Sequence, residues 1–116
     1  LFKTQISHII KYIRTKGDKK MKDILPMIVK FDVKKDKIDF VKFELKKILE
    51  PTRKENGCLK YELHQDIENP HLFMFYEIWE TVDAWKAHDT QKHILDFKDI
   101  IRDAVNEITA HKLTII

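Results

Sequence analysis

The chain of 116 residues is poor in the residues that build covalent frameworks and cofactor loops. It has one cysteine, Cys58, and two glycines, Gly17 and Gly57. A lone cysteine excludes an internal disulfide and any Cys-rich zinc site, and it suits a reducing compartment, so a cytoplasmic location is expected. Neither glycine opens a phosphate-cradling loop, which argues against nucleotide-cofactor folds built on such loops. No apolar run approaches the ~20 residues that span a bilayer, so stable membrane insertion is not expected.

What is present is ordinary for one globular domain: 43% hydrophobic and 35% charged residues. The net charge of +3 is unevenly placed. Of the 22 basic and 19 acidic residues, seven and two lie in residues 1–23 (+5), which leaves 15 against 17 for the rest (−2). A basic nucleic-acid-binding face on the main domain is therefore not supported. Residues 1–22 read as a separate leader. Phe2, Ile6, Ile9, Ile10 and Ile13 follow helical spacing, and Lys16 to Lys20 around Gly17 reads as a linker. An extension preceding a start at Met21, a docked amphipathic helix and a targeting or membrane-surface helix all fit this pattern.

Residues 23–116 carry the domain. Val29, Phe31 and Val33 alternate with Lys30 and Asp32, predicting a strand from Ile24 to Val33. Asp36 offers an N-cap, and Ile38, Val41, Leu45 and Ile48 form a helical stripe from about Lys37 to Lys54. Pro51 should kink or end that helix, and Asn56-Gly57 should stop it. A second strand is expected over Cys58 to Asp66, with Leu59, Tyr61 and Leu63 on one face. A third, Leu72 to Glu80, is apolar on both faces: Phe73, Phe75 and Trp79 on one, Leu72, Met74, Tyr76 and Ile78 on the other. Thr81 caps a helix containing Ala84, Trp85 and His88, and Asp89-Thr90 breaks it. The stripe Ile94, Phe97, Ile101, Ala104 and Ile108 continues as helix, and Ala110 to Ile116 is expected as a last strand.

The order β-α-β-β-α-β is the ferredoxin-like plan, an α+β fold with two helices on one face of a four-stranded antiparallel sheet. Those helices cover one face of the third strand. Its second apolar face needs other cover, and a second copy of the sheet would supply it, so a homodimer is expected.

The run from Pro51 to Leu63 (PTRKENGCLKYEL), the run Phe75 to Glu80 (FYEIWE), and His88 with His93 resemble the antibiotic-biosynthesis-monooxygenase family in order and interval. The resemblance covers about residues 24–116. It implies a ferredoxin-like dimer forming an α+β barrel, with a pocket between sheet and helices in each subunit. Among such proteins are quinol and anthrone monooxygenases that use no metal or flavin, haem-degrading enzymes and a sugar isomerase. The haem-degrading type resembles a site with an Asn on the first strand and a His late in the second helix. Here the first strand has no Asn, and no His follows Phe97 until His111, so haem chemistry is disfavoured.

Cofactor-free oxygenation requires a substrate that supplies its own electrons, such as a quinol or phenol, together with a base and a dry pocket. His88 and His93 are the candidate bases, since histidine titrates at about 6.5. On a continuous helix they would diverge by about 140°, so only the break at Asp89-Thr90 could bring both to one site. Each could equally cap a helix or bind a backbone group. No metal is expected from the pair, because their spacing alone supplies no third ligand. Glu77, a carboxylate on an aromatic face, is either a paired buried acid needing Arg53, His88 or His93, or a catalytic group. Phe73, Phe75, Trp79, Trp85 and Arg53 are candidate substrate contacts, although core packing and surface pairing account for them as well. Tyr61 reads as packing. The leading function is a quinol- or phenol-type monooxygenase. A dimeric binding module for a small aromatic ligand and an isomerase of a small metabolite are the alternatives.

Overall fold

In the computed structural model the described residues are 23–116, so the basic leader lies outside them. Alternation sets the first strand, β1 (Leu25–Val33), with Leu25, Met27, Phe31 and Val33 buried on one side. The helical stripe that follows divides into α1 (Ile38–Lys47) and α2 (Leu49–Arg53). Lys37, not Asp36, occupies the cap position, and no side chain caps it. The break falls at Ile48, three residues before Pro51. Proline has no N–H for the carbonyl of Lys47, so a regular turn cannot be continued there.

Gly57 ends this segment at φ +84°, a left-handed conformation that side chains disfavour. A Cβ at this position would lie 2.6 Å from the Ala84 Cβ. The glycine therefore meets both a backbone and a packing requirement. β2 (Cys58–Gln65) and β3 (Leu72–Trp79) follow, then α3 (Val82–Asp89), α4 (Lys92–Ile101) and β4 (Val105–Lys112). The Thr81 hydroxyl caps α3 by accepting from the Ala84 N–H at 3.0 Å, as the sequence predicts.

All pairings are antiparallel and the strand order is β2-β3-β1-β4. With helices connecting β1 to β2 and β3 to β4, this is the ferredoxin-like α+β fold. The core lies between sheet and helices. Phe31, Phe73, Phe75 and Trp79 from the strands meet Val41, Leu45, Ile94, Phe97 and Ile101 from the helices. Among the described residues, no helix is long and apolar enough to cross a membrane.

Two further expectations are corrected. The register shifts between Cys58 and Lys60, so Leu59 leaves the face of Tyr61 and packs with Ile24, Ile78 and Tyr76 on the other side. A bulge inserts one residue and breaks the two-residue alternation. The last strand begins at Val105 rather than Ala110. Ala104 is buried in the turn after α4, and Ile108 lies opposite Phe31 on β1. Ile108 is four residues from Ala104, a helical spacing, and two from Ala110, a strand spacing. Hydrogen bonding to the open edge of β1 decides between them.

The helix-free face of the sheet has the apolar character read from β3. Ile24 and Ile78 are buried, and Leu72, Met74 and Tyr76 are half-buried. Polar groups lie alongside, with the Lys60 ammonium 5.7 Å from the Tyr76 ring centre and 3.3 Å from Glu62.

Candidate active site

The break between α3 and α4 creates the site. α3 ends at Asp89 and α4 starts at Lys92, with Gln91 in an extended conformation between them. This redirection brings the rings of His88 and His93 to 6.5 Å between centres. Both reach one carboxylate, Glu55, from the turn after α2. His88 Nδ1 lies 2.8 Å from Glu55 Oε2, and His93 Nε2 lies 3.0 Å from the same oxygen. Gly57 makes this possible, because its missing side chain lets α3 approach the turn that carries Glu55.

The hydrogen-bond network assigns the tautomers. An imidazole nitrogen without hydrogen would repel the carboxylate oxygen, so His88 Nδ1–H and His93 Nε2–H both donate to Glu55. His88 Nε2 is then the nitrogen free to accept a proton. Burial lowers the pKa of His88, outweighing the hydrogen bond and charge of Glu55, which raise it. His88 is accordingly a neutral imidazole at neutral pH. The network extends through Thr52, fully buried, whose Oγ1 is 3.2 Å from His93 Nε2 and which also bonds the Tyr61 hydroxyl.

A cavity of about 290 Å³ lies between the sheet and helices α3 and α4. Phe31, Tyr61, Phe75, Trp85 and Phe97 give it aromatic walls, and its polar members are Glu77, His88 and the ion pair of Asp89 with Lys98 at 2.8 Å. Glu77 is buried and accepts from the Trp79 indole N–H at 2.9 Å. Burial pushes its carboxyl up to about 7; the indole bond pulls it down, while Asp89 and Glu55 add to the rise. At neutral pH this group is divided between acid and anion, so it can give or take a proton.

The predicted residues thus separate into groups. His88, Glu77, Phe75 and Trp85 line the cavity. His93 joins His88 through Glu55. Trp79 is fully buried behind the site, 4.5 Å from the His88 ring centre, where it orients Glu77 and supports the histidine. Phe73 is in the core, away from the cavity lining. Arg53 is exposed; it donates to the Tyr61 carbonyl at 3.0 Å and pairs with Glu50 at 3.5 Å, fastening α2 to β2. Glu77 takes its bond from Trp79 and not from Arg53, His88 or His93. Cys58 is pushed up to about 12, first by burial, which removes it as a nucleophile.

Sequence reasoning missed Glu55 and Thr52, and it read Tyr61 as packing, a place Tyr61 does hold in the core while also lining the cavity. Glu55 stands two residues before the turn glycine, and that proximity was the available signal. A carboxylate held next to a left-handed turn is fixed in position, but its partners lie more than 30 residues away.

The fold and site define a class: a ferredoxin-like α+β domain with an aromatic cavity and a histidine–carboxylate cluster beside it. Residues 25–100 match the family described as antibiotic biosynthesis monooxygenase, and the chain belongs to that family. The uncharacterized protein YjcS of Bacillus subtilis is 40% identical over 53 residues, which is 46% of this chain and 50% of YjcS. The match thus spans half the length of that relative. PA3566 from Pseudomonas aeruginosa superimposes with a TM-score of 0.79 at 28% identity, covering 84% of this chain and 98% of that one. A crystal structure described as an antibiotic biosynthesis monooxygenase gives 0.76 at 27% identity, covering 79% and 98%.

Proposed function

We propose that the domain is a homodimeric, cofactor-independent monooxygenase acting on a small quinol- or phenol-type aromatic. The observation that carries this reading is the His88–Glu55 pair at the wall of an aromatic cavity. Glu55 holds Nδ1–H, which leaves Nε2 to take the phenolic proton. The resulting anion is electron-rich enough to pass an electron to dioxygen between the apolar walls of the cavity. For a hydroquinone the products are a hydroxyquinone and water: one oxygen atom enters the ring, and the quinol supplies the electrons that reduce the other. Glu77 can return or receive a second proton, and Phe75 and Trp85 hold the ring. A volume of about 290 Å³ is at the small end of ligand pockets and suits one or two fused rings.

The half-buried second face of β3 supports a homodimer formed sheet to sheet. A monomer in sedimentation at micromolar concentration would remove this part of the proposal. The free thiol of Cys58 accords with a reducing compartment such as the cytoplasm.

Oxygen uptake by metal-free protein with a panel of hydroquinones and polyphenols tests the chemistry. Turnover above autoxidation should fall by about 10²- to 10⁴-fold in His88→Ala. A panel with no turnover sinks the reading. Tight aromatic-ligand binding that survives His88→Ala would instead mark a binding module, which the apolar cavity also favours.

A further inference from the structure

Glu55 is a largely buried carboxylate whose hydrogen-bond and ion-pair partners, among the described residues, are two imidazoles rather than a lysine or arginine. We propose that Glu55, His88 and His93 form a binding site for a divalent first-row transition-metal ion of the zinc type. The inference goes beyond the monooxygenase reading and does not depend on it.

The donor atoms are Glu55 Oε2, His88 Nδ1 and His93 Nε2, and all lie within 4.8 Å of one another. Two imidazoles and one carboxylate are a donor set that suits zinc or ferrous ion, whereas magnesium and calcium prefer oxygen donors throughout. Tetrahedral donors around zinc stand about 3.3 Å apart. The two carboxylate edges of the cluster measure 2.8 and 3.0 Å and must open by a few tenths of an ångström, while the edge between the two imidazole nitrogens, which extends up to 4.8 Å, must close toward about 3.3 Å. Binding also requires both neutral rings to change tautomer, so that the hydrogen now donated to Glu55 moves to the opposite ring nitrogen and the donating nitrogen becomes the ligand.

The arrangement is preformed. Its three ligands come from separate segments, held by the Gly57–Ala84 approach and by the α3–α4 break. His93 is only partly buried, which provides a solvent route for the ion. Coordination through His88 Nδ1 would leave that ring's hydrogen on Nε2. A metal-loaded site therefore cannot use His88 as a base, and the two roles exclude one another.

The test uses the full chain stripped with a chelator. Calorimetric titration with zinc should give one ion per chain with a dissociation constant of about 1 µM or below. Cobalt(II) should develop the visible bands of a low-coordinate nitrogen–oxygen site, ferrous ion should compete for it under anaerobic conditions, and magnesium should not. Glu55→Gln and His93→Gln should each weaken zinc by roughly 10- to 100-fold or more. His64→Ala combined with His71→Ala, which removes imidazoles outside the cluster, should leave binding unchanged. If Glu55→Gln does not fold, the partly exposed His93 carries the test alone. Absence of zinc binding, or binding retained in His93→Gln, overturns the site. These readouts need no turnover, so their failure is separate from failure of the oxygenase reading.

Discussion

Among the histidine–glutamate pairs of this domain, two of nearly equal length lie in opposite surroundings. His64 Nε2 lies 2.7 Å from Glu62 on the outer face of β2, and His88 Nδ1 lies 2.8 Å from Glu55 beside the cavity. Side-chain exposures are 51% and 33% for the first pair, but 7% and 10% for the second. The distances alone do not distinguish them. In the exposed pair, water competes for both partners and screens their attraction, so little net stability follows. In the buried pair, unmet hydrogen bonds cannot be replaced by water, so removal of either partner is costly. Burial also keeps His88 neutral despite its anionic partner, which leaves it able to act as a base.

The strongest way to break the comparison is Glu55→Ala. It leaves two imidazole N–H groups without their acceptor, and a loss of about 3–5 kcal/mol in denaturant unfolding is expected. A loss comparable to that of an exposed pair would show that the cluster adds nothing through burial.

Glu77 sharpens the role of burial through pH. Its carboxyl rises from an ordinary value of 4.5 to about 7 in the folded protein. Between those values the folded state holds the proton and the unfolded state releases it. Stability from this group is therefore present below about 4.5 and is lost as pH rises toward 7, by roughly 3 kcal/mol at most. His88, whose folded pKa is lowered, works in the opposite sense. Its unfolded form takes up protons first as pH falls below 6.5, so its contribution grows as pH rises to that value. The difference in unfolding free energy between wild type and Glu77→Gln, measured from pH 5 to pH 8, should decline with pH. A flat difference would refute the buried-acid assignment.

Gly57→Ala acts on the buried pair without touching it. The left-handed backbone and the 2.6 Å approach to Ala84 should together cost about 2–3 kcal/mol. The variant should also shift the His88 imidazole resonances in NMR spectra, and unchanged resonances would deny that the glycine positions α3 against Glu55. At the small end, His64→Ala should change stability by less than about 0.5 kcal/mol, and a larger loss would contradict the contrast between the two pairs.

Much of this fold is legible from residue spacing. Alternation marks β1 and β3, Thr81 marks the start of α3, and Gly57 marks the turn. The errors occurred where local signals conflict. Leu59 alternates with its neighbours in the sequence but sits on a bulge, and Ile108 fits both a helix and a strand. Such cases are resolved by hydrogen bonding to a neighbouring strand, which local spacing does not encode. The site was partly legible in the same way. His88, His93 and Glu77 were recognisable as polar groups in apolar settings. Glu55 was not, because its surroundings in sequence are polar and its burial arises only when α3 closes over it.

The sequence by itself determined the ferredoxin-like order of elements, the second apolar face of β3, and the break that separates His88 from His93. These follow from periodicity and from the conformational limits of proline, glycine and capping residues, all of which act within a few residues. Only the tertiary structure decided that the break turns both histidines onto Glu55, that Trp79 holds Glu77, and that Arg53 stays at the surface. Those outcomes depend on which distant groups share a space from which water is excluded, and that is settled when the helices pack on the sheet.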